Sequence, residues 1–187
     1  MSSKRLWWGD EAAARILRDW HANLGTDAAA RAALRRVRET DDAWEVPAYA
    51  RLVRELRGAG YEVEPWRART MTAEAVAVAE VGRDERSSEP ERWGLDLVAE
   101  RFVKAWKGAA ISGPRLRVLL GTETPDMFSR LLRGAIGMVR AAEIGIAVVA
   151  VAEIARRHHR ADRRVEMRRA VLFTAATEGL FDKEDST

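Results

Sequence analysis

The sequence predicts an all-α fold, a bundle of roughly eight or nine helices, and three observations carry that expectation. Apolar residues recur at helical spacing through most of the 187 residues. Proline and glycine stand where helices begin and end. The one β-branched run, AVVAVAEIARR, has no second strand to pair with and reads as a buried helix. Hydrophobic content of 47% with 33% charged residues belongs to a globular chain, long enough to bury a real core.

Taken in order, Ala13, Ile16, Leu17, Trp20 and Leu24 form the stripe of a first amphipathic helix, with Asp10 as N-cap and Gly25 as stop. A second helix starts near Asp27 and turns Ala30, Ala33, Leu34 and Val37 inward. Pro47 opens a third, which buries Tyr49, Leu52, Val53 and Leu56 and ends at RGAG. YEVEPWRART reads as irregular, followed by a short helix from Thr72 to about Gly82. Trp93, Leu97, Phe102 and Trp106 mark the next helix, closed by ISGP. Phe128, Leu131, Leu132 and Ala135 follow the cap-like TPD, then the buried helix, then a last one from about Asp162 to Thr177.

The polar, acidic GRDERSSEPER carries no helical stripe and divides the chain. The expected organisation is an N-terminal helical subdomain over 1–83, an exposed loop or linker over 84–92, a C-terminal helical subdomain over 93–178 and a flexible tail over 179–187. No signal-peptide core precedes the first helix, and IGIAVVAVA is far short of the roughly 18 residues of a membrane span. With no cysteine, disulfides and thiolate metal sites are excluded. A soluble, cytoplasmic protein without a membrane partner is expected.

Convergent catalytic groups are missing. No nucleophile elbow, phosphate loop or HExxH helix occurs. His158 and His159 are adjacent, so on a helix they diverge by about 100° and cannot act as a paired ligand. They read as ordinary polar residues, and His21 as a residue of the helix surface. Asp41 with Asp42, and Glu123 with Asp126, lie at helix ends, where capping explains them. Trp20 and Trp106 fall on apolar stripes and belong to the core; Trp7 and Trp8 read as packing. The expectation is no enzyme, no cofactor and no metal.

The basic residues stand out. Only Lys4, Lys104, Lys107 and Lys183 are lysines; the rest of the positive charge is arginine, whose planar fork suits phosphate. RAALRRVR places Arg31, Arg35, Arg36 and Arg38 on one helix with no acid between positions 28 and 38, so pairing within that helix cannot neutralise them. ARRHHRADRRVEMRR adds Arg156, Arg157, Arg160, Arg163, Arg164, Arg168 and Arg169, with Arg156, Arg160 and Arg163 on one stripe. Arg115, Arg117, Arg130 and Arg133 form a looser set, and Arg67 and Arg69 flank an irregular segment. Several such runs, with acids gathered elsewhere, point to a polyanion partner.

The order of segments resembles a known family. RAALRRVRETDDAWEVPAYARLVREL resembles the N-terminal signature of the CasB family, the small subunit of the type I-E CRISPR surveillance complex Cascade. WHANL is similar to its first helix, ISGPRLRVLLGTETPDMFSRLLRGAIGM to its arginine-rich middle segment, and IARRHHRADRRVEMRRAVLF to its basic last helices. The resemblance covers roughly residues 15–177. It implies a non-catalytic, two-domain all-α subunit of an antiviral defence complex. The implied partners are the other Cascade subunits, guide RNA, target DNA with its displaced single strand, and a second copy of the chain. It also implies an arginine track that stabilises the R-loop without reading bases. Carried over by position, Arg35 and Arg36, Arg67 or Arg69, Arg115, Arg133, Arg160, Arg163 and Arg164 would bind nucleic acid, and the charge runs add Arg31 and Arg157 to the expected site.

Two other classes fit the composition. A helical DNA-binding transcription regulator would need base-reading residues, yet the chain has one asparagine, Asn23, and no glutamine. A purely structural helical adaptor would carry its arginines for genomic reasons alone.

Overall fold

Asp10 caps the first helix as its position predicts: its Oδ1 accepts from the amides of Ala12 and Ala13 at 3.0 and 3.3 Å. The same carboxylate accepts a hydrogen bond from the Tyr61 hydroxyl, so cap and chain entry are tied to a residue 51 positions on. These contacts come from a computed structural model that describes residues 4–38, 40–63, 68–85 and 93–181. Tyr61 also belongs to β2 (Tyr61–Glu62), which pairs in parallel with β1 (Lys4–Arg5) in a ladder of two residues per strand. Everything else regular among the described residues is helix, and the all-α reading holds.

The helices are α1 (Glu11–Thr26), α2 (Ala28–Arg36), α3 (Thr40–Trp44), α4 (Pro47–Gly58), α5 (Ala68–Glu80), α6 (Leu95–Gly108), α7 (Gly113–Gly121), α8 (Pro125–Ala141), α9 (Val148–His158) and α10 (Ala161–Thr177). Among the described residues these ten exceed the expected eight or nine, and the short α3 and α7 are the ones no stripe announced. A single turn such as α3 shows no periodicity, and ISGP both closes α6 and opens α7, with Pro114 in the first turn.

α9 is the central element. Every residue from Val148 to Arg156 is buried, because α5, α6, α8, α10 and α1 all pack around it. Its valines and Ile154 each contribute about 1.5–3 kcal/mol by leaving water. A helix apolar on all sides has no stripe, so its run looked equally like a strand. α5 lies along α9, is itself buried from Ala75 to Val81, and carries α2 and α3 on one side and α8 on the other. α4 closes over α1, and α7 lies against α8 and α10.

Several polar groups are drawn inside. Trp20 donates to the Ala48 carbonyl at 2.7 Å and Trp106 to that of Ser112 at 3.3 Å, as core tryptophans should. Trp8 is fully buried, whereas Trp7 is 46% exposed, so the pair does not pack together as expected. His21 is not on the surface: it is buried, its Nε2 2.9 Å from the Val81 carbonyl. Nor are the paired histidines ordinary surface groups. His158 stacks flat on Phe128 with ring centroids 3.5 Å apart and holds the Thr122 carbonyl at 2.7 Å. Arg156 leaves the expected basic stripe altogether; it is buried and donates to the Leu6 carbonyl, fastening the N-terminal segment to α9.

Beneath that segment Trp8 donates to Glu74 at 2.9 Å. Burial pushes the Glu74 carboxyl up to about 7, against the opposing pull of Arg156 and of the Trp8 hydrogen bond. A raised folded-state pKa gives stability that is present below the ordinary carboxylate value and lost as pH rises through about 7. His159, pushed down to about 4 by burial, acts in the opposite sense, losing its contribution as pH falls from 6.5 through about 4. Glu74→Gln keeps an acceptor for Trp8 but cannot ionise. Thermal unfolding of both proteins across pH 5 to 8 should show the variant gaining on the wild type as pH rises, with the His159 contribution common to both. Parallel curves would mean that Glu74 does not titrate in this range.

Candidate nucleic-acid interface

The last turn of α5 contains no basic residue of its own, yet its carbonyls point away from water and need donors. Other helices supply them. Arg35 of α2 donates through Nε to the Ala79 carbonyl at 3.1 Å, and Arg140 of α8 to the Glu80 carbonyl at 3.1 Å. The Glu80 side chain, 11% exposed, then gathers three guanidiniums: Arg140 at 2.9 Å, Arg35 at 3.2 Å and Arg133 at 3.2 Å. Arg133 also donates to the Arg35 carbonyl, tying α8 to α2. One carboxylate therefore answers three cations at the negative end of a helix.

Arg31 joins this group without a full set of partners. Burial, and then the repulsion of Arg140, lowers its pKa. Its Nη2 lies 3.4 Å from the His21 nitrogen that faces Val81, and its Nε has no hydrogen-bond partner. Arg36, one residue beyond Arg35, is exposed and makes no ion pair with a described residue.

The remaining expected arginines fall into separate places. Arg69 pairs with Asp126 at 2.8 Å, with both side chains largely exposed. Arg115 donates to the Met138 sulfur at 3.2 Å. Arg157, 14% exposed, holds Glu153 at 2.8 Å and Glu166 at 3.5 Å. Arg160 meets Asp162 at 2.9 Å, Arg163 meets Glu166 at 3.4 Å, and Arg164 reaches the Glu123 carbonyl at 2.5 Å. Arg67 lies outside the described residues. The expectation of unpaired arginines thus needs correction: the RAALRRVR run has no helix-local acid, yet Glu80 takes Arg35 from a distance, and nearby carboxylates take Arg157, Arg160 and Arg163.

A groove of about 620 Å³ opens beside the Glu80 cluster. α5 forms its floor with Thr72, Ala73 and Val76; Val37, Arg38 and Asp41 form one wall and α8 the other. Arg38, Arg69, Arg130 and Arg133 line it against Asp41 and Asp126, so positive charge exceeds negative. His159 closes one end, 3.3 Å from the Ser129 hydroxyl. Arg38 and Arg130 were noticed in the sequence but not carried forward as site residues. Thr72, Ser129 and His159 gave no signal there, since only the packing of α5 against α8 and α9 brings them together.

Removing the shared carboxylate should expose its structural share. Glu80→Gln leaves Arg35, Arg133 and Arg140 crowded without a counter-charge. The expected loss in urea unfolding is about 2–4 kcal/mol, below the full penalty of a buried triad because the guanidiniums are partly solvated. Arg36→Ala should change stability by less than about 0.5 kcal/mol. Equal effects would refute the distinction between capping and free arginines.

Comparison with known families gives one match: a family model described as CRISPR-associated protein Cse2 covers residues 30–173. No curated protein and no solved structure matches the chain. The matched span runs from α2 into α10 and contains both the Glu80 cluster and every lining residue of the groove. It is also the span that carries the sequence signature quoted above, and it establishes that the chain belongs to the CRISPR-associated protein Cse2 family, the CasB small subunits.

Proposed function

We propose that this chain is the non-catalytic small subunit of a type I-E Cascade and holds nucleic-acid backbone on the face where α2, α3, α5 and α8 meet. Family membership supports the place in a Cascade complex. The observation that carries the binding reading is the excess of guanidinium over carboxylate on that face. Arg31, Arg35, Arg133 and Arg140 crowd around Glu80, with Arg36, Arg38 and Arg130 beside them and no ion pair to a described residue for these last three. Such a surface attracts phosphate by counterion release and is indifferent to sequence. It suits the displaced strand of an R-loop, where guide RNA has already read the target.

The two arginine classes divide the work. Arg35 and Arg133 keep the face rigid because they are fixed to α5, while Arg31 and Arg36 remain able to bind. Arg157 and its neighbours on α9 and α10 face carboxylates and contribute less per residue. The same proposal includes the two helical subdomains over 1–83 and 93–178, the cytoplasmic setting, and guide RNA, target DNA, other Cascade subunits and a second copy as partners. Among the described residues, no helix is long and apolar enough to cross a membrane.

Two measurements test this reading. A tagged pull-down from the native cell should recover a multi-subunit assembly with short repeat-flanked RNAs; recovery of the chain alone, where such an assembly is expressed, would favour an adaptor. In vitro, the logarithm of the affinity for single-stranded DNA should fall linearly with the logarithm of salt concentration. Arg36→Ala should weaken binding to all sequences and reduce that slope by about 0.7, the share of one phosphate on a single strand. Arg35 is unsuited to this test because its loss also uncaps α5. Tight, selective binding to one duplex sequence would point to a transcription regulator instead.

A further inference from the structure

The groove beside the Glu80 cluster differs from the open arginine face in shape and in chemistry. Its floor is apolar where Ala73 and Val76 line it, its walls carry guanidiniums, and hydroxyls and carboxylates stand between them. A track for phosphates alone requires neither depth nor an apolar floor. About 620 Å³ is within the range of pockets that enclose a small organic ligand. Resting on the nucleic-acid reading above, we infer that this groove takes one unstacked nucleotide of the bound single strand, its base against Ala73 and Val76 and its phosphate between Arg38 and Arg130.

The charges in the groove fit that occupant. Arg38 and Arg130, on opposite walls, make no ion pair with a described residue. Arg133 is held back by Glu80 and shapes the wall instead of reaching outward. Arg69 is engaged by Asp126 at 2.8 Å, but both are exposed, at 66% and 74%, so that pair is weak and exchanges readily for a phosphate. Asp41 and Asp126 can accept from the amino or ring N–H groups of a base, the thymine imide included, and the Ser129 hydroxyl can donate to or accept from its carbonyls and ring nitrogens. His159 is neutral at physiological pH, held so first by burial and then by the nearby His158 and Arg69, so it offers a ring face without adding charge. An acidic peptide would use the arginines but would leave Asp41 and Asp126 opposed to like charge.

The test separates bases from phosphates. Full-length protein is titrated with a fluorescent twelve-residue thymidine strand and with a base-free strand of the same length and charge. The wild type should prefer the thymidine strand by about tenfold, the worth of one sequestered base. Ala73→Phe fills the groove from the floor without altering charge. It should abolish the preference while leaving affinity for the base-free strand unchanged. Ser129→Phe fills the groove from the α8 wall and should do the same, which guards against a folding defect in either variant. Arg130→Ala should weaken both strands equally. If both filling variants keep the preference, or weaken both strands alike, the nucleotide pocket is refuted and the backbone track stands. If the wild type binds both strands equally and the filling variants fail to enter the assembled complex, the occupant is a protein neighbour and the inference is overturned. If the wild type binds neither strand, the nucleic-acid reading itself falls.

Discussion

Glu80 ends α5 inside the molecule, with guanidiniums from α2 and α8 on its oxygens and on the carbonyls of the same turn. A helix that stops in a buried position leaves acceptors that must be met, and no residue of α5 can meet them. Arg35 and Arg140 do so, Arg133 joins them on the Glu80 carboxylate, and together they fix where α2 and α8 stand relative to α5. The α5 floor of the groove, the wall that continues from α2 and the wall formed by α8 follow from that placement. The concentration of positive charge on this face follows too, because one carboxylate cannot neutralise three cations.

On the proposed function, this arrangement lets one arginine-rich chain be stable and still hold a polyanion. Guanidiniums that cap α5 are unavailable to a ligand but set its surroundings, raising the local potential felt by a phosphate. Guanidiniums beside them, on Arg36, Arg38 and Arg130, make no ion pair with a described residue, and Arg31 leaves its Nε without a partner among those residues. The α9–α10 arginines show the opposite economy: Glu153, Asp162 and Glu166 answer Arg157, Arg160 and Arg163 nearby in sequence, and the resulting field is weaker. Two arginine-rich regions therefore differ in field because only one has carboxylates close at hand.

Features decided within a few residues were legible in the sequence. Asp10 as a cap, Pro47 as a helix start, Trp20 and Trp106 as core, and the valine-rich run as a buried helix all follow from local spacing and from the absence of a second strand. What depends on distant partners was not legible. Arg35 meets Ala79 across 44 positions and Arg140 meets Glu80 across 60, so the charge run in RAALRRVR looked free when half of it was engaged. His21 seemed exposed because its partner, the Val81 carbonyl, lies 60 positions on. The groove escaped notice for the same reason, since its floor and walls come from segments that show ordinary helical patterns. The family signature was legible because order and spacing of short motifs survive where contacts cannot be seen.

Amide hydrogen exchange of the full-length protein, with and without a saturating single-stranded oligonucleotide, is the most direct test of where the polyanion lies. The account predicts added protection over the end of α2, α3, the start of α5 and the first turns of α8, with α6 and α10 unchanged. Protection confined to α10, or none on the α2–α5–α8 face while the strand is bound, would contradict it.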